Sequence, residues 1–169
     1  MISKILKWSL ILVGTVVVTI GLFFGYMRFH DGPMEIIAGG PFTTGELAIG
    51  DEPDWSFIKD RLTVEFQLYE PETSRTIWIA VDENKLYLIS GYMKTGFGKI
   101  WKQWPHYVEK DNRALLRVDG KIYERKLIRL GADDLNDKII SEFNRKYKSG
   151  LSREGIASNS AWLYELAPR

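Results

Sequence analysis

The stretch "RLTVEFQLYEPETSRTIWIAVDENKLYLIS", residues 61–90, carries the pattern on which the fold turns. Leu62, Val64, Phe66 and Leu68 alternate with Thr63, Glu65 and Gln67, and a period of two is the signature of a strand with one buried face. "SRTIWIAVD" and "KLYLIS" follow on either side of the acidic turn "VDENK", so Arg75 to Ser90 reads as a hairpin.

Downstream, "RALLRV" and "KIYERKLIRL" flank Asp119-Gly120, a dipeptide that tolerates the positive φ angles of a tight hairpin turn. A meander of about five antiparallel strands results. "ADDLNDKIISEFNRKYK" then changes the period. Leu135, Ile139, Phe143 and Tyr147 recur four apart, with acids at the start and bases at the end, which predicts an amphipathic helix lying on the sheet. "SAWLYELAPR" offers one closing strand. Upstream, "PDWSFIKD" reads as a short helical turn capped by Asp54, with Trp55 and Phe57 placed to plug the open end of the domain.

The chain of 169 residues, 45% apolar and 13% aromatic, has room for one such domain and an appendage. That appendage is "WSLILVGTVVVTIGLFFGYM", Trp8 to Met27, twenty residues without a charge. At about 1.5 Å per residue, a helix of this length matches the roughly 30 Å hydrocarbon core of a bilayer. A lone strand in lipid would leave its backbone unpaired, so the valines and threonines here still predict a helix. The run exceeds the usual length of a cleaved leader's apolar core, and no small-x-small site stands near "GYMRFHDG", so we read it as an uncleaved anchor. The resulting plan is a membrane anchor over 1–28, a Gly- and Pro-rich connector over 29–53 and a folded domain over 54–169.

Lys4, Lys7 and the terminal amine flank the anchor on one side, against Arg28 and then Asp31 on the other. This bias predicts a single-pass protein with a cytoplasmic N-terminus and a periplasmic or otherwise extracytoplasmic C-terminal domain. Gly21 and Gly25 form a GxxxG pair that lets a second helix approach closely. Beyond residue 28 the chain holds 20 Lys plus Arg against 22 Asp plus Glu, a net charge of −2, which argues against a nucleic-acid partner. Cysteine is absent, which excludes disulfides and thiol catalysis, and His30 and His106 alone do not make a histidine-rich metal site.

Two segments carry candidate chemistry. In "GKIWKQWP" a helical turn would place Trp101 and Trp104 on one face, with Lys99 and Lys102 on another. Such a pattern suits a flat anionic ligand, a membrane interface, or plain packing of the core. "SGYMKTGFG" supplies a glycine-rich loop that lacks the spacing of a phosphate-binding P-loop. The carboxylates Asp51, Glu52 and Asp54, and the pair Asp133 and Asp134, sit in a loop and at a helix start, which accounts for them without chemistry.

The order of elements from Asp54 to Pro168, with "PETSRTIW" before one strand and "GKIWKQWP" after the third, resembles the split β-barrel domains of the FMN-binding and deazaflavin-dependent oxidoreductases, including their nitroreductase-like branch. That resemblance implies a mainly antiparallel split barrel with an amphipathic helix; joined to the N-terminal transmembrane helix read from residues 8–27, it makes the chain a membrane-anchored offshoot. The resemblance further implies that Arg75 grips a phosphate with help from Ser74 or Thr76, that Lys99 and Lys102 neutralise it, and that Trp101, Trp104 and Trp78 frame the ring of FMN or a deazaflavin. The glycines that flank the family's basic motif are missing around Ser74 and Arg75. Two expectations follow: a ligand-binding domain of the flavin or deazaflavin oxidoreductase type, or a non-catalytic accessory subunit of a larger membrane complex. Split barrels of this kind often pair, so a homodimer is a further expected partner alongside the bilayer at residues 8–27.

Overall fold

The computed structural model describes residues 3–169, the side chain of Phe97 excepted. Helix α1 spans Lys4–Met27 and starts at Ser3, whose hydroxyl accepts the Leu6 amide proton. Its side chains are exposed along the whole length save Met27, which is 1% exposed. Among the described residues it is the one helix long and apolar enough to cross a membrane.

Six long strands form the body of the domain: β2 Thr63–Tyr69, β3 Glu72–Asp82, β4 Lys85–Ser90, β5 Arg113–Val118, β6 Lys121–Leu130 and β7 Trp162–Pro168. The order β6-β5-β2-β3-β4-β7 closes on itself because β7 pairs antiparallel with both β4 and β6. The result is a closed antiparallel barrel with no free long edge. Both anticipated hairpins are present. Glu83 and Asn84 (φ 48° and 61°), then Asp119 and Gly120 (φ 50° and 76°), supply the left-handed pairs that two-residue turns require.

The alternation of side chains sorts the strands into an interior and an exterior. Val64, Phe66, Leu68, Ile77, Ile79 and Val81 fill the barrel. On the other face, Ala80, Tyr87, Ile89 and Leu163 receive α4, Asp137–Tyr147, through Ile139 and Phe143, with Leu135 just before its start. Each fully buried Leu, Ile or Phe among these, such as Phe66, Leu68, Ile79 and Phe143, contributes about 2 kcal/mol relative to exposure. The turn Trp55–Ile58 is a 3-10 helix capped by Asp54, with Trp55 fully buried and Phe57 half-exposed.

Three features depart from the sequence reading. Within the connector, Glu46–Leu47 forms a short strand, β1, parallel to β6, because backbone pairing over two residues leaves no periodic trace. A short helix, α5, covers Arg153–Ala157 before the last strand. The expected single turn in "GKIWKQWP" is instead two short helices, α2 Gly96–Trp101 and α3 Trp104–Val108. Lys102 leaves the helical region at φ −91° and ψ 62°, and Pro105 in the first turn of α3 suits a new helix start.

Candidate functional site

β3 starts at Glu72, so "TSRTIW" lies within the strand and its side chains alternate between faces. Arg75 points to the same face as Ile77 and Ile79, opposite Phe66 in register, with its guanidinium carbon 5.9 Å from the Phe66 ring centre. Phe66 also meets Trp104 edge to face at 5.2 Å, and Trp104 in turn touches Tyr164 at 5.3 Å. These contacts seat α3 over the barrel and bring the elbow between α2 and α3, at Lys102, within range of the Arg75 charge.

Two cations therefore act on one another, with no carboxylate paired to either among the described residues. Arg75 donates one hydrogen bond, from Nη2 to Thr73 Oγ1 at 3.1 Å, while its Nε is shut off from solvent without an acceptor. Among the described residues neither Arg75 nor Lys102 has a carboxylate partner. Burial pulls the Arg75 guanidinium down to about 10, partly opposed by the Tyr107 phenol. Burial also lowers the Lys102 ammonium, and the Arg75 charge lowers it further. Like charges held together at low dielectric are unfavourable, and a bound anion relieves both costs at once.

The remaining candidates lie elsewhere. Ser74 is fully buried and donates to the Gly40 carbonyl at 2.6 Å, which ties the connector to β3. Thr76 lines an outer cleft of about 500 Å³ with Asp31, Glu65 and Arg117. There Arg117 reaches Glu65 at 2.7 Å and Asp31 at 2.8 Å, so its charge is already balanced. Burial raises Asp31, but hydrogen bonds from Thr44, the Thr43 amide and Arg117 outweigh it and hold the carboxyl well below the usual range. Trp78 stacks on Tyr147 of α4, with ring centres 4.5 Å apart and planes 5° from parallel. Trp104 is 3% exposed in the core, whereas Lys99 and Trp101 are exposed on α2. Of the eight predicted site residues, the structure brings Arg75, Lys102 and Trp104 to one end of the barrel, and Trp104 serves there as packing.

Tyr107 was absent from the sequence-based site, although it ends the segment that holds both tryptophans; the signal was a phenol five residues after Lys102. A second cleft, about 510 Å³, runs along Val108 to Arg113, Leu127, Arg129 and Tyr164. The Tyr164 hydroxyl lies buried there without a partner.

No protein-family profile matches the chain, and no curated protein matches it. Two solved structures overlap it in part. A candidate pyridoxamine 5'-phosphate oxidase from Listeria innocua aligns over 68% of this chain and 89% of its own, at 11% identity and a TM-score of 0.45. A protein named F420 reductase aligns over 71% of this chain and 96% of its own, at 11% identity and a TM-score of 0.40.

Proposed function

We propose that the chain is a membrane-anchored domain that binds a phosphate-bearing ligand between Arg75 and Lys102. The observation that carries this reading is the pair itself: two neighbouring, partly buried cations, one with an orphaned Nε, and no carboxylate within reach among the described residues. A guanidinium offers two parallel donors to two phosphate oxygens, and the ammonium supplies a point charge from the other side. Tyr107 stands near enough to Arg75 to act on it, and its hydroxyl is suited to complete the oxygen contacts.

The fit to a flavin or deazaflavin is partial. Its phosphate end matches Arg75 and Lys102, and such a cofactor supplies the redox chemistry when bound. Its ring does not find the three-tryptophan frame expected from the sequence, since Trp78 is stacked on Tyr147 and Trp104 is sealed in the core. Arg75 and Lys102 therefore support anion binding, and no hydride transfer is derived from them.

The test is a titration of the full-length protein in mild detergent with inorganic phosphate, glycerol 3-phosphate and FMN, read by intrinsic fluorescence and calorimetry. At least one phosphate compound should bind the native chain and bind Arg75→Gln or Lys102→Gln about tenfold more weakly. Equal binding by native and variant proteins, or none by any phosphate-bearing compound, a phospholipid included, would overturn the proposal.

A further inference from the structure

We infer that the phosphate held by Arg75 and Lys102 is that of an anionic phospholipid in the bilayer around α1, a reading that rests on the anion site proposed above and names its ligand. A short chain of contacts joins the two. Arg28, the first residue after the apolar helix, donates from Nη1 to the Glu72 carbonyl at 2.5 Å. Glu72 opens β3, and Arg75 lies three residues along it, about 10 Å away. The guanidinium leans back towards that end, onto Thr73. Met27, the last residue of α1, is 1% exposed, so the helix end and the domain are packed together. The cationic pair therefore sits near the level at which the apolar helix gives way to polar chain, where lipid phosphates lie.

The surroundings of the pair have the composition of an interface. On α2, Ile100 is 80% and Trp101 53% exposed beside the exposed Lys99. Just after α1, Phe29 is 83% and Ile36 85% exposed, the latter on a turn closed by the Met34–Ile37 bridge. Exposed isoleucine, phenylalanine and tryptophan with lysine between them are costly in water and favourable at the boundary of headgroups and acyl chains. The charge is local, because the chain beyond residue 28 carries a net −2, so a general attraction of a basic surface does not explain the pair. A singly charged phosphodiester would lie between Arg75 and Lys102 with its acyl chains towards Ile100 and Trp101.

The experiment uses the full-length chain in nanodiscs of phosphatidylcholine with and without phosphatidylglycerol. Native mass spectrometry then measures lipid retained after transfer to mild detergent. Phosphatidylglycerol should be retained about tenfold over phosphatidylcholine, and the preference should vanish in Arg75→Gln and Lys102→Gln. Arg75→Lys keeps the charge and should restore part of it, which separates loss of the anion site from misfolding. In phosphatidylcholine brominated on its acyl chains, Trp101→Phe should remove a share of the tryptophan quenching that Trp78→Phe leaves in place. Equal retention of the two lipids, or quenching unchanged by Trp101→Phe, would overturn the lipid assignment. Glycerol 3-phosphate, which has no acyl chain, divides the two readings. If it binds the native chain and not the variants while no lipid is preferred, the anion site stands and the lipid does not. If neither glycerol 3-phosphate nor lipid binds, both readings fall.

Discussion

The Arg125 guanidinium, 1% exposed, meets the Glu52 carboxylate at 2.7 Å and lies over the rings of Trp55 and Tyr123 at 4.9 and 5.4 Å. The Trp55 indole donates to the same carboxylate at 2.5 Å. Asn84, in the β3–β4 turn, completes the arrangement by accepting the Trp55 amide and donating to Pro53. A loop from the sequence-defined connector thus supplies the counter-charge for an arginine that β6 buries.

Removing that counter-charge should cost more than removing a surface one. Glu52→Ala leaves Arg125 buried and uncompensated, with an expected loss of about 2–3 kcal/mol in urea unfolding. Asp119→Ala breaks the exposed pair with Arg61 at 2.6 Å and should change stability far less. Equal losses would show that the Arg125 cluster is not a stabilising unit.

Alkaline pH should weaken the fold through buried phenols. Burial pushes Tyr147 and Tyr87 up to about 12, against 10 when unfolded. Below pH 10 both states are protonated and the full stability is present; between 10 and 12 the unfolded chain releases protons that the native one keeps, so stability falls as pH rises. Tyr147→Phe and Tyr87→Phe should flatten this slope in unfolding measured across that window. The Tyr147 change should also cost stability at neutral pH, since its hydroxyl accepts the Ile79 amide proton at 3.0 Å.

A backbone change can test the site without touching its charges. A methyl group on Gly98 would fall 1.7 Å from the Tyr92 carbonyl oxygen, and backbone does not yield as a flexible side chain does. Gly98→Ala should displace α2 and the Lys102 elbow, and phosphate affinity should drop while the barrel still unfolds cooperatively. Gly96→Ala, with open space around the new methyl, should leave affinity unchanged.

Phosphate affinity should also follow the charge of Lys102. Burial and then the Arg75 charge lower its pKa below the usual 10.5, so affinity should fade as pH rises through that lowered value. Arg75→Gln removes one of the two causes and should move the fade to higher pH. An unshifted profile in isothermal titration would show that the two groups do not interact.

Much of the barrel was legible because its cues are local. Period-two alternation in Leu62 to Leu68, the Asp119-Gly120 turn and the four-residue spacing from Leu135 to Tyr147 each express one short-range rule, and each element formed there with shorter bounds: β2 starts at Thr63, leaving Leu62 exposed, and α4 at Asp137, two residues after Leu135. The site was less legible because it depends on which face each residue takes. Counting along "TSRTIW" does not say which residues face the barrel interior, so Ser74, Thr76 and Trp78 were grouped with Arg75 although strand alternation sends them to the other side. Trp101 and Trp104 were grouped by helical spacing, which the bend at Lys102 breaks. The Arg125 cluster escaped notice altogether, since its partners are 73 residues apart in sequence.

β7 joins β4 to β6 and is the final strand of the described chain. A nascent polypeptide that has not yet released Trp162–Pro168 from the ribosome presents two long unpaired sheet edges, on β4 and β6, while its exposed apolar helix is already complete. Closure must then wait until Trp162–Pro168 has emerged, and chaperone demand should be concentrated before that point. A stop codon before residue 162 would make that state permanent, turning a closed barrel into an open sheet whose two edges template pairing with other chains.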